Sequence, residues 1–145
     1  MTIILGEAEV AYFNAVFRRC GQADLAERRG AVFRDGSSPK PNDCHANAAR
    51  MASEDPETTP VHGWLIEAGN DCYVRLAAHS LLRDRAGRLV EITPLGPCEL
   101  RFIVHDGAAE AFFSLLPRFN QITWPPFSVL HEGVVDLGGA GLASV

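Results

Sequence analysis

The side chains that could perform nucleophilic chemistry in this chain are a thiol, an imidazole and a carboxylate, those of Cys44, His79 and Glu91. Cys44 follows the loop residues Pro41-Asn42-Asp43 and starts an Ala-rich segment that predicts a helix. At a helix start, free backbone N–H groups and the helix dipole favour the thiolate, which is the nucleophilic form. A nucleophilic cysteine also needs a base within reach and a third group that orients the base. We predict that His79 is the base and that Glu91 is the orienting group.

A predicted β-hairpin is expected to bring the histidine and the glutamate together. Residues 72–83 alternate as in a strand, residues 84–87 predict a turn, and residues 88–93 predict the returning strand. This turn puts His79 and Glu91 opposite each other or one diagonal apart, and Cβ atoms of opposite residues lie roughly 4.5–5.5 Å apart. We expect the carboxylate to hold the Nδ1–H of the imidazole and to leave the other ring nitrogen for the thiol.

The elements that must position these residues follow a simple order along the chain. We predict helices for residues 7–20 and 44–53, with a short helical turn at 23–29 between them and a last helix through 108–116. We predict strands for residues 61–68, 72–83, 88–93 and 98–104. Helices followed by an antiparallel meander and one more helix are typical of an α+β fold rather than a βαβ fold. The Gly/Ala-rich end, residues 136–145, predicts a loose tail.

Length and composition predict one domain spanning residues 1–145. The net charge is −5 and Lys40 is the only lysine among 13 basic residues, which argues against nucleic acid as a partner. No apolar run reaches membrane-spanning length, and the short apolar start is broken by Gly6 and Glu7 before it could form a signal segment. Four cysteines without a C-x-x-C pair suggest reduced thiols, so we expect a cytoplasmic protein of undefined oligomeric state.

Three stretches carry a resemblance to a known family: Asn42-Asp43-Cys44-His45-Ala46-Asn47, Gly63-Trp64, and the hairpin of residues 79–94. Their order and context resemble the papain-like superfamily of cysteine hydrolases, with the closest likeness to its compact bacterial NlpC/P60-like and transglutaminase-like branches. The resemblance implies a papain-like fold, in which a helix that starts at the nucleophile packs on the antiparallel meander.

For the site, the resemblance implies Cys44 as nucleophile, His79 as base and Glu91 as orienting residue. It adds Asn42, which would join the Cys44 backbone N–H in an oxyanion hole, and Trp64, which would line the site. The implied substrate is a peptide, isopeptide or other amide or acyl compound, with no metal and no organic cofactor. The chain departs from the family in having Glu at the third position, where Asp or Asn is more usual.

Each of these residues also has a purely structural interpretation. Cys44 could be a small buried apolar residue, and His79 could simply bond a backbone carbonyl. Glu91 could be a surface acid paired with Arg83 or Arg88.

The neighbouring residues have structural interpretations too. Trp64 could belong to the core, since large aromatic residues are usually buried. Asn47 could be a helix-surface or locally bonded amide, and His45 could point to solvent from the first turn of its helix.

Three other functions for the whole chain remain open. The residues that could bind zinc lack zinc-ligand spacing; they are Cys44, His45, His62, Cys72 and His79. Arginines near the hairpin could form a basic surface that binds phosphate or RNA, although an acidic total makes a solvated tip the simpler explanation; they are Arg75, Arg83, Arg85 and Arg88. The chain could also be an inactive papain-like binding module, with core or interface aromatic residues at Phe102, Phe112, Phe113 and Trp124.

Overall fold

The computed structural model describes residues 2–126, 128–131 and 134–136 of the chain. Its helices are α1 (Glu7–Arg18), α2 (Cys44–Glu54) and α3 (Ala109–Phe113). Its strands are β1 (Thr2–Ile4), β2 (Asp24–Leu25), β3 (Glu27–Arg28), β4 (Thr59–Gly69), β5 (Val74–Arg83), β6 (Leu89–Glu91), β7 (Arg101–Val104), β8 (Gln121–Trp124), β9 (Ser128–His131) and β10 (Val134–Asp136). This content confirms the predicted α+β class. None of the helices in these ranges combines the length and apolar character needed to cross a bilayer.

Seven of the described strands form one sheet in the order β2-β7-β4-β5-β6-β3, and β8 also pairs with β5. All of these pairs are antiparallel except β3 with β6. The longest pair is β4 with β5, which runs from Thr59 opposite Arg83 to Gly69 opposite Val74. β1, β10 and β9 form a separate three-stranded sheet.

The two faces of β5 pack against different parts of the molecule, because successive side chains of a strand point to opposite faces. Leu76 lies in a buried cluster with Phe13 of α1, and Leu82 lies in a second cluster with Ala48 of α2. Leu81, next along the strand, belongs to a third cluster built from side chains of β4, β6 and β7. Both long helices therefore cover the same face of β5.

The edge of β5 that faces away from β4 is only partly covered by strands. β8 pairs with Val74 to Ala77, and β6 pairs with Leu82 and Arg83. Among the described strands, this leaves residues 78–81 without a strand partner on that edge. The amino-terminal end of α2 lies at this gap, as its side-chain contacts show below.

Some predicted elements differ from the structure. Residues 23–29 form the short strands β2 and β3 rather than a helical turn, because Leu25 pairs with Arg101 and Arg28 pairs with Glu91. The helix predicted through residue 116 ends at Phe113. β1, β8, β9 and β10 were not predicted. Of the predicted tail, Asp136 belongs to β10 and residues 137–145 lie outside the described residues.

Candidate active site

Cys44 is the first residue of α2 and is partly buried. Asn42 turns the chain into this helix with φ of 58°, in the left-handed region that asparagine tolerates better than most residues. The expected Asx cap is not formed by Asp43, which makes no side-chain hydrogen bond to the helix. The first-turn N–H groups are therefore not occupied by that carboxylate and remain near the thiol.

The imidazole of His79 connects the thiol to the carboxylate. Cys44 and His79 line the same cleft, and their interaction shifts the pKa values of both groups. Nε2 of His79 hydrogen-bonds Oε2 of Glu91, so Nδ1 is the nitrogen left for the sulfur. The predicted assignment of the two nitrogens was therefore wrong. The strand register determines which residues meet, whereas the side-chain rotamer determines which edge of the ring faces each partner.

The position of Glu91 follows from the register of the hairpin. Extending the observed β5–β6 pairing by one residue puts Glu91 opposite Leu81 and diagonal to His79, one of the two arrangements predicted. Only 2% of the Glu91 surface is exposed, and its Oε1 accepts the Thr93 backbone N–H at 2.8 Å. The interpretation of Glu91 as a surface acid paired with a hairpin arginine is therefore wrong.

The contacts shift the pKa values of thiol and imidazole in opposite directions. Burial raises the pKa of Cys44, but hydrogen bonds with the His45 and His79 rings outweigh it and lower the pKa to about 6. Burial lowers the pKa of His79, whereas its bonds to Cys44 and Glu91 outweigh this and raise the pKa to about 9. Between these two values the pair holds one proton, as thiolate and imidazolium.

A buried amide ties α2 to the carboxylate side of the site. Asn47, 4% exposed, donates from Nδ2 to the Lys40 carbonyl at 2.8 Å and to Thr93 Oγ1 at 2.9 Å. Thr93 in turn holds Glu91, so one network links helix and strand. The interpretation of Asn47 as a surface amide is wrong. The sequence signal for a role of Asn47 near the site was its position one helical turn after Cys44.

His45, the residue after the thiol, points into the protein rather than to solvent as expected. Its Nδ1 lies 2.6 Å from Oγ of Ser80, which also lies 2.7 Å from Nδ1 of His62. The His45 ring meets the edge of Phe113 at a centroid distance of 5.3 Å, and His62 stacks on Phe112 at 5.7 Å. Sequence reasoning missed Ser80, because its role depends on two histidines from other elements.

A cleft of about 390 Å³ opens beside the thiol. Its lining includes Asn42, Cys44, Leu65, Ala77, Leu95 and Asn120. Asn42 is exposed at this cleft. The cleft therefore offers an apolar wall together with amide groups beside the sulfur.

Trp64 does not line this cleft, and the prediction that it contacts substrate is wrong. It is 0% exposed, its Nε1 donates to the Tyr12 hydroxyl at 2.7 Å, and its ring packs on Phe13. The preceding residue, Gly63, is the one that pairs with His79. Because side chains alternate along β4, Trp64 points to the opposite face and into the core.

The structure also bears on the zinc, basic-surface and interface alternatives. Within the described ranges, no group of three or more His, Cys, Asp or Glu is arranged to hold a metal ion. At the hairpin, Arg85 lies 3.1 Å from Glu57 and Arg88 lies 3.5 Å from Asp84, so acids neutralise these arginines. Of the four aromatic residues considered for an interface, three are buried and Phe113 is 38% exposed.

Comparison of the chain with protein-family models, with curated proteins and with solved structures finds no match. The functional argument therefore depends on the geometry of the thiol, the imidazole and the carboxylate.

Proposed function

We propose that this chain is a cysteine-dependent acyl-transfer enzyme of papain-like architecture, which acts on a peptide, isopeptide or other amide bond. The observation that carries the proposal is the hydrogen bond between His79 and the buried Glu91, with His79 and Cys44 lining the same open cleft. A structural cysteine needs neither a buried acid–imidazole pair nor access to a cleft.

In the first half of the reaction, the Cys44 thiolate attacks the substrate carbonyl carbon and forms a C–S bond. The carbonyl oxygen becomes an oxyanion, which the Cys44 backbone N–H and the Asn42 side chain would receive. When the tetrahedral intermediate collapses, the C–N bond breaks and the amine leaves with the proton of His79. The product on the enzyme is a thioester.

In the second half, a water or an acceptor amine attacks the thioester carbonyl. His79, now neutral, takes its proton, and the C–S bond breaks to release the acid or the new amide. Glu91 keeps its hydrogen bond to Nε2 and holds the ring in one orientation. The site thereby returns to thiolate and imidazolium.

The test is the pH dependence of Cys44 alkylation by iodoacetamide, followed peptide by peptide with mass spectrometry. The exposed Cys72 is labelled in the same sample and serves as the reference thiol. We expect half-maximal reaction of Cys44 near pH 6, where a free thiol with a pKa of about 8.5 is only about 0.3% ionised. In His79→Ala the midpoint should rise toward that of a free thiol.

An ordinary, slow reaction of Cys44 that His79→Ala does not alter would contradict the proposal and favour a binding module. A second probe tests turnover: p-nitrophenyl acetate should transfer one acetyl group to Cys44, and the thioester should hydrolyse faster in the native protein than in His79→Ala.

A further inference from the structure

A buried hydroxyl bridges two imidazoles directly beside the proposed nucleophile. Ser80, 1% exposed, lies 2.6 Å from Nδ1 of His45 and 2.7 Å from Nδ1 of His62 through the same oxygen. These three residues come from α2, β5 and β4. The triad described above uses none of them.

Three arrangements are possible at this bridge when both rings are neutral. The Ser80 hydroxyl has one hydrogen and two lone pairs, so it can donate to one ring nitrogen and accept an N–H from the other. It can also accept an N–H from both rings, in which case His45 carries its hydrogen on Nδ1 and offers a lone pair from Nε2. If the hydroxyl donates to His45, then His62 carries its hydrogen on Nδ1, and His45 carries its own on Nε2. If the hydroxyl donates to His62, His45 carries its hydrogen on Nδ1 and offers a lone pair from Nε2.

The sulfur of Cys44 distinguishes these arrangements. His45 directly follows Cys44 at the start of α2, and both residues line the same cleft. Because Ser80 engages Nδ1 of His45, Nε2 is the ring nitrogen that can face the sulfur. A thiolate only accepts hydrogen bonds, so it requires an N–H at Nε2. The arrangement compatible with the thiolate is therefore His62 N–H to Ser80 oxygen, Ser80 O–H to His45 Nδ1, and His45 Nε2–H to sulfur.

We propose that His45 is a second imidazole of the active site, donating an N–H to the Cys44 thiolate, and that Ser80 and His62 are positioning residues that set its tautomer. The proposal rests on the function of Cys44 as nucleophile. It gives a physical reason for the bulky side chain directly after the thiol.

The surroundings hold both rings in place. His62 stacks on Phe112 at an interplanar angle of 19°, and Phe113 meets the His62 ring at a centroid distance of 4.6 Å. Phe113 also meets the His45 ring edge-on at 83°. Rings confined in this way cannot easily exchange their hydrogen-bond partners.

The charged groups around the bridge fit the proposed arrangement. Burial lowers the pKa of His62, which therefore remains neutral at neutral pH. On the far side of the sulfur, His79 carries the positive charge and Glu91 balances it. Asp43 at the start of α2 and Glu67 on β4 are the carboxylates that line the cleft itself.

The first experiment repeats the alkylation profile in variants. His45→Ala should raise the Cys44 midpoint by about one pH unit, which lowers the rate at pH 6 about fivefold. Ser80→Ala should lower that rate about threefold, although the substitution removes no titratable group and no contact with sulfur. Ser53→Ala, an exposed serine of the same helix, is the matched control and should leave the profile unchanged. His45→Gln, whose amide can donate, should retain more rate than His45→Ala.

The second experiment needs no substitution and therefore does not depend on how well a variant folds. Long-range ¹H–¹⁵N NMR of the native protein at neutral pH should report His45 as the Nε2–H tautomer. A Nδ1–H tautomer or a doubly protonated His45 ring would overturn the inference, as would unchanged profiles in His45→Ala and Ser80→Ala. If His79→Ala alone moves the profile, only this inference fails. If no variant moves it, the proposed function fails as well.

Discussion

Glu91 is a carboxylate with almost no contact with water, and its two oxygens have separate partners. One oxygen accepts the Thr93 N–H, and the other faces Nε2 of His79. A buried charge is tolerated only when it is paired and hydrogen-bonded. The pairing also affects the histidine, because it helps to raise the pKa of His79 to about 9. At the scale of single residues, the carboxylate therefore maintains the imidazolium.

Replacing the carboxylate by an amide, Glu91→Gln, tests this role. The raised pKa of His79 stabilises the fold fully below its ordinary pKa of 6.5, and this stabilisation is lost as pH rises through about 9. We therefore expect Glu91→Gln to lower the free energy of unfolding by about 2 kcal/mol at acidic pH near 6, with a smaller difference toward pH 10. Urea unfolding across this range measures it. A difference that grows with pH would contradict the assignment.

At the scale of elements, the site depends on how the β5–β6 hairpin meets the start of α2. The turn between the strands closes with the Gly87 N–H donating to the Asp84 carbonyl at 2.9 Å. Oδ1 of Asp84 also accepts the N–H groups of Ala86 and Arg88. Gly87 has φ of 85°, which a residue with a Cβ adopts at a cost. This turn sets the register that brings Glu91 near the imidazole.

Gly87→Ala should therefore destabilise the protein by about 1 kcal/mol, since alanine is strained at positive φ. Gly30→Ala is the matched control, because Gly30 has no positive φ and open space where a Cβ would be added. Its free energy of unfolding should stay the same or rise slightly. Urea unfolding of both variants gives the comparison. Equal loss in the two variants would show that the turn conformation is not the cause.

At the scale of the whole molecule, the aromatic core and the cleft lie on different faces of the main sheet. Trp64 donates to the Tyr12 hydroxyl, and that hydroxyl lies 2.8 Å from Nδ1 of His105. His105 Nε2 lies 3.2 Å from the Ala108 carbonyl and donates to it, so Nδ1 accepts from Tyr12. This chain of hydrogen bonds ties α1 to β4, to the end of β7 and to the start of α3, and it stabilises the fold away from the thiol.

Trp64→Phe should consequently affect stability and not the site. We expect a loss of about 1–2 kcal/mol in the free energy of unfolding, from one buried hydrogen bond and a small cavity. The pH midpoint of Cys44 alkylation should remain that of the native protein. A shifted midpoint would mean that Trp64 acts on the cleft after all.

Local patterns in the chain were enough to predict its class and the main parts of the candidate site. The α+β class, the start of α2 at Cys44 and the hairpin that puts His79 near Glu91 follow from periodicity and turn chemistry, which depend on neighbouring residues. The same patterns predicted neither β8 nor the strands at residues 23–29, because these short segments pair with distant parts of the sheet.

The remaining features depend on contacts between residues far apart in the chain. Trp64 belongs to the core because of the face that β4 turns toward α1, and Asn47 is buried because Thr93 meets it across 46 positions. The bridge from His45 to Ser80 exists because α2 lies at the gap in the edge of β5. Residue types and spacing specify which groups have the necessary chemistry. Their partners, burial and protonation follow from the packing of distant elements, which local periodicity does not encode.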